Sequence, residues 1–207
     1  MSRAALLGLF VAACGGSSPG SGTGTLFAEA LIEARADSTK VRVDLLLRGE
    51  PVRGANVVVT DEDTTALHTL EDKKGGRYEL VLNGYVRTLS LKVTSGNDEL
   101  DGRLVGPAPF VVTRPPNNAI VRRGESEVLS VEWEAEDPAD RVEIRAQGAE
   151  PISIAGDPFS YDLPIGAIAN GDQKLRVARE TEIHLEGGVS GSRMVSRSEV
   201  DNRFTLE

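Results

Sequence analysis

Residues 26–48 read LFAEALIEARADSTKVRVDLLLR, and a period of two runs through both halves of the stretch. Ala28, Ala30, Ile32 and Ala34 alternate with Glu29, Leu31, Glu33 and Arg35. Val41, Val43, Leu45 and Leu47 alternate with Arg42, Asp44, Leu46 and Arg48. Alternation at this period sets an apolar face under a polar one, which is the pattern of a half-buried strand. Ala, Glu and Leu also suit a helix over residues 26–36. A strand is preferred there because the segment follows a Gly-rich stretch and runs straight into an unambiguous strand.

Downstream the pattern repeats. The turn Gly49-Glu50-Pro51-Val52-Arg53-Gly54-Ala55 leads to Asn56-Val57-Val58-Val59-Thr60. Its glycines and proline supply the restricted dihedrals a turn needs. Further strands are expected around residues 66–71, 77–82, 86–94 and 99–105, with turns at Lys73-Lys74-Gly75-Gly76 and Ser95-Gly96-Asn97-Asp98. Short strands at spacings of roughly 8–12 residues predict a β-sandwich. Gly49, Pro51, Val52, Gly54, Ala55 and Val57, followed by Gly76, Tyr78 and Leu80, resemble the turn-and-strand pattern of bacterial immunoglobulin-like and carboxypeptidase-regulatory-like modules. That resemblance covers residues 26–106 and implies a fold and a spacer or adhesive role, not an activity.

Gly106-Pro107-Ala108-Pro109 marks a domain boundary, a short semi-stiff connector. Beyond it, Val128–Ala135 alternates with Val131, Trp133 and Ala135 on one face and Glu132, Glu134 and Glu136 on the other. Asp137-Pro138-Ala139-Asp140 turns the chain into Arg141-Val142-Glu143-Ile144-Arg145. This half resembles a fibronectin type III domain, with its Trp near the end of the second strand. Tyr161–Pro164 and Lys174–Arg179 fit the later strands. Leu175 stands where that family has a corner Tyr, and the tail from Thr181 to Glu207 is longer than the family's. The expected fold class is all-β: two tandem immunoglobulin-like β-sandwiches, residues 26–106 and 107–207.

The chain opens Met1-Ser2-Arg3 and then runs apolar from Ala4 to Ala12, the secretory pattern of a basic start and a short apolar core. That run is far shorter than the ~20 residues of a membrane-spanning helix. It ends Val11-Ala12-Ala13-Cys14, and Cys14 is the chain's one cysteine. Small residues immediately before a Cys resemble the lipobox of bacterial lipoproteins. The resemblance implies cleavage after residue 13, a diacylglycerol on the Cys14 sulfur and acylation of the new amine. It also implies an envelope location, and Gly15 at the sorting position favours the outer membrane. Two or more acyl chains, at about 0.8 kcal/mol per buried methylene, hold a protein to a bilayer durably. Residues 14–25 then form the lipidated Cys and a Gly/Ser-rich linker with a reach of ~17–20 Å.

The 207 residues carry 23 Lys and Arg against 32 Asp and Glu, a net charge of −9. That balance argues against nucleic acid as a partner, since phosphate binding needs a clustered basic excess. One Cys excludes an intrachain disulfide, and two His exclude a His-rich metal site. His68 and His184 lie on strand-like segments and read as polar face positions. No nucleophile elbow accompanies them, so no catalytic residue and no cofactor site is expected beyond the covalent lipid. Asp61-Glu62-Asp63, with Asp98, Asp101, Asp137 or Asp140, is the candidate oxygen-ligand set for Ca²⁺, without the spacing of a dedicated loop. The Glu132, Glu134, Glu136 stripe predicts cross-strand pairing with Arg141 or Arg145. Arg114, Arg122 and Arg123 are the densest basic spots and read as balancing local carboxylates. The functional expectation is a lipid-anchored module that contacts an envelope protein or a polysaccharide, or serves as a spacer. The alternatives are a small envelope hydrolase or its accessory domain, and a calcium-dependent adhesion module.

Overall fold

The opening alternation folds as two paired strands. The computed structural model describes residues 25–207. Its first strands are β1 (Leu26–Ala34), β2 (Ser38–Leu47), β3 (Glu50–Pro51) and β4 (Asn56–Asp61). They continue as β5 (Ala66–Thr69), β6 (Glu71–Asp72), β7 (Arg77–Asn83), β8 (Thr88–Ser95) and β9 (Asp98–Val105). In β1 every alternate residue from Leu26 to Ala34 is buried, so the strand reading holds there over the helix.

The second half holds β10 (Phe110–Arg114), β11 (Ala119–Val121), β12 (Val128–Ala135), β13 (Arg141–Ala146) and β14 (Ile152–Ala155). It ends with β15 (Ser160–Pro164), β16 (Gly171–His184) and β17 (Arg193–Leu206). Two single 3₁₀ turns, Arg123–Glu125 and Ile165–Ala167, interrupt it.

Two sandwiches result, and the chain is all-β. In the first, β1, β2 and β7 face the four-stranded sheet β5-β4-β8-β9. In the second, β10-β12-β15 faces β14-β13-β16-β17. Each encloses its own apolar cluster: Leu26, Ile32, Val43, Leu45, Val57, Leu91 and Leu100 in the first, and Trp133, Val142, Ile144, Leu175, Val177 and Phe204 in the second. Gly76 shows why its turn excludes larger residues. Its φ is +76°, and a Cβ there would lie 2.5 Å from the Leu45 carbonyl oxygen.

The sequence division at residue 106 is crossed at the sheet level. β16 and β17 form a fourteen-residue-per-strand hairpin that outruns the second sandwich. The first half of β17 pairs parallel to β1, from Glu29 against Arg193 to Ala34 against Ser198. One ten-stranded sheet therefore spans both sandwiches. Leu185 and Met194 join the first apolar cluster, so this end of the hairpin packs with the first sandwich, while Arg197 reaches Glu143 of β13. The physical reason is the free edge that β1 presents: covering it satisfies backbone groups and buries Met194.

The connector is packed rather than exposed. Gly106, Pro107 and Ala108 are buried. A Cβ at Gly106 would sit 2.4 Å from Ser196 Oγ of β17. Small inward residues of β17, Ser196 and Ser198, leave room for the connector to cross at this waist.

Candidate functional site

The waist holds the most buried polar chemistry in the described chain. The alternation of β16 that points Leu175 and Val177 inward also points Arg179 inward, and its side chain is 0% exposed. Asp157, from the turn before β15, is equally buried and accepts Arg179 Nε at 2.7 Å. The other Asp157 oxygen accepts the Trp133 indole N–H at 2.8 Å, and the Ala139 amide donates to Oδ2 at 3.0 Å. Arg179 also donates to the Ala108 carbonyl at 2.9 Å and to the Asp137 carbonyl. Its guanidinium carbon lies 5.3 Å from the centre of the Phe110 ring. Buried charges persist where each is paired and its remaining hydrogens are satisfied. Here the guanidinium ties the connector to the second core.

Further ties come from the first sandwich. The Tyr85 hydroxyl donates to the Pro107 carbonyl, and burial pushes that phenol up while Ser198 and the nearby arginines pull it down. Arg87 donates to the Gly106 carbonyl at 3.3 Å and pairs with Asp137. Across the outer face of the long sheet, Glu180 accepts from Arg141 and, at 2.8 Å, from Arg197, which also reaches Glu143.

Several of the carboxylates named for calcium have protein partners of their own. Asp61 accepts the Asp63 amide and the Thr64 hydroxyl within its own turn, and Glu62 accepts from Ser90 and faces Arg103. Asp98 accepts from Thr25, Asp137 pairs with Arg87, and Asp140 accepts the Glu182 amide at 2.9 Å. The Asp101 backbone bridges Glu186. Among the described residues, no three His, Cys, Asp or Glu side chains gather as metal ligands.

Glu132, Glu134 and Glu136 do share a face, but their expected partners are corrected. β13 lies in the opposite sheet, so Arg141 pairs with Glu180 and Arg145 with Glu143. Glu132 is met instead by Arg114 of the neighbouring β10 at 3.3 Å. Arg123 is spent on Asn170 and on the Ile165 and Ile168 carbonyls. His68 lies on β5 and His184 at the end of β16, in different sheets. Cys14 lies outside the described residues. Among the described residues no helix is long and apolar enough to cross a membrane.

Sequence reading passed over Arg179. The available signal was a charge at an inward position of an alternating strand, in phase with Leu175 and Val177.

The surface carries several open hollows. One of about 330 Å³ lies at the end of β16 and β17, lined by Asn118, Gln147, Asp172, Lys174, Arg203 and Thr205 among others. One of about 240 Å³ shares Gln147 and Lys174 with it and adds Arg145 and Arg176.

No family model matches the chain, and no curated protein sequence matches it. Solved structures of similar shape include the adhesin InvE of Yersinia pseudotuberculosis, at 15% identity and a TM-score of 0.29 over 90% of this chain. The chain spans 61% of the length of that adhesin chain. A chimeric titin Z1Z2 carrying a KLER peptide from decorin shows 17% identity and a TM-score of 0.25, covering 92% of this chain and 98% of its own. Fibronectin(III)-like modules of Clostridium thermocellum CbhA show 14% identity and 0.26, covering 84% and 94%.

Proposed function

We propose that this chain is a lipid-anchored bacterial envelope protein, held through an acylated Cys14 and sorted to the outer membrane, that presents two joined β-sandwiches as a binding module. Val11-Ala12-Ala13-Cys14, after a short apolar run and before a Gly/Ser-rich linker, supports the anchor. The observation that carries the presentation is the parallel pairing of β1 with β17. Leu26, where the linker ends, lies at one pole. β17 continues past the end of β1 to the opposite pole, a span on the order of 50 Å at ~3.3 Å per residue. A tether at Cys14 therefore holds one pole near the bilayer and turns the other outward. The joined sheet and the packed connector make the two sandwiches a stiff stalk rather than beads on a string.

Cys14→Ser tests the anchor. The variant is expected to remain unprocessed or to leave the membrane fraction, while the native protein yields an acyl-bearing cysteine as its first residue by mass spectrometry. A variant still processed and still membrane-bound would refute the anchor.

A further inference from the structure

We infer that the outer face of β13, β16 and β17 at the far tip binds a carboxylate-bearing oligosaccharide, with Arg203 and Lys174 receiving the carboxylate and Gln147 and Asn118 meeting sugar hydroxyls. The inference deepens the presented-module reading and names its ligand class.

Charge is the first observation. The chain carries −9, yet Arg145, Lys174, Arg176 and Arg203 converge on this one face. The register sets Arg145 directly opposite Arg176, and Lys174 directly opposite Arg203. Like charges placed opposite each other across strands are destabilising. Carboxylates on the same face offset most of this: Asp201 meets Arg176 at 2.8 Å and Lys174 at 2.7 Å, Glu199 meets Arg176 at 3.5 Å, Glu143 meets Arg145 at 3.4 Å, and Asp172 lines the hollow. Arg203 makes no ion pair among the described residues. Its guanidinium stands exposed in the hollow, a planar fork suited to a carboxylate.

Shape and hydrogen bonding are the second. The two hollows, about 330 and 240 Å³, share Gln147 and Lys174, so the trough is a pair of adjoining hollows. The larger falls in the range of small-ligand sites. The side-chain amides of Asn118 and Gln147 line it, and neither makes a hydrogen bond among the described residues. Asp172 takes the Thr205 hydroxyl through Oδ1, which leaves Oδ2 as an acceptor for a ligand hydroxyl. Paired donor-acceptor groups of this kind match sugar hydroxyls. An acidic peptide finds a strand edge at this tip only at Gly171–Gln173, since from Leu175 to Glu180 β16 is paired on both sides. Position is the third: Arg203 lies ~40 Å from Leu26 along the sheet, at the pole turned away from the linker.

Calorimetric titration of the purified full chain in detergent tests this, with tetragalacturonate as the probe, maltotetraose as its neutral counterpart and tetraglutamate as a peptide of similar charge. Tetragalacturonate is expected to bind, weakening as salt rises, with maltotetraose and tetraglutamate each at least tenfold weaker. Arg203→Gln and Lys174→Gln are each expected to lower affinity about tenfold, the loss of one charge-assisted hydrogen bond. Asp201→Asn, which removes a competing carboxylate, is expected to raise it severalfold. Lys92→Gln, on β8 of the first sandwich, is expected to leave it unchanged. Absence of tetragalacturonate binding overturns the proposal, as does equal binding of either counterpart or insensitivity to both trough substitutions. Because the titration is done in detergent, such a failure leaves the anchor at Cys14 standing. A Cys14 result against lipidation would in turn leave the trough untouched.

Discussion

Arg179 carries a full charge into the waist, and everything it touches is there to satisfy it. Removing one partner of a buried pair leaves the other unpaired, which costs about 3–5 kcal/mol. Asp157→Ala is therefore expected to lower stability by about that amount in urea unfolding, and Trp133→Phe, which takes one hydrogen bond from Asp157, by about 1–3 kcal/mol. The double replacement Arg179→Met with Asp157→Leu is expected to recover part of the single-variant loss, because no charge remains uncompensated. A double variant no better than Asp157→Ala would show that packing rather than charge holds the site. Asp201 gives a second residue-scale expectation. Burial alone would raise its pKa, but hydrogen bonds from Arg176 and Lys174 outweigh it and hold the carboxyl below its usual 3.8. A lowered carboxylate adds stability that is present above that value and is lost as pH falls through the lowered one. The melting temperature of Asp201→Asn is therefore expected to fall less steeply than wild type as pH drops below 3.8, and parallel slopes would contradict this.

At the scale of elements, strands were readable where inward residues are apolar. Val41, Val43 and Leu45 in β2, and Val131 and Trp133 in β12, announce their faces and occupy them. β17 was not readable in the same way. Its inward positions near the waist are Ser196 and Ser198, so its alternation lacks the apolar stripe that marks a half-buried strand. Its partner β1 lies more than 150 residues earlier, and no local pattern specifies a pairing of that range. The candidate site followed the same rule. The Glu132, Glu134, Glu136 stripe was visible as alternation, while its partner depended on which strand lies beside it. Met194→Ala is expected to destabilise by about 2–5 kcal/mol, and amides of β1 and β2 are expected to exchange faster although Met194 is nearly 90 residues beyond the first sandwich's last strand. Loss of protection confined to β12 and β13 would contradict the shared edge. Gly106→Ala is expected to cost about 1–3 kcal/mol, because its Cβ meets Ser196 Oγ and Cβ and the Arg87 carbonyl.

For the whole molecule, the consequence is cooperativity. Two sandwiches joined only by four small residues would open separately, as tandem modules commonly do. Here the long hairpin completes one sandwich and edges the other, and Arg179, Tyr85 and Arg87 bind the connector from both sides. That stiffness is what would hold the trough at Arg203 away from a membrane-tethered end. Differential scanning calorimetry of the full chain is the direct measurement. The structure predicts one transition whose calorimetric and van't Hoff enthalpies agree, lowered as a unit by Met194→Ala. Two resolved transitions, with Met194→Ala moving only the one assigned to residues 107–207, would show that the hairpin does not close the first sandwich.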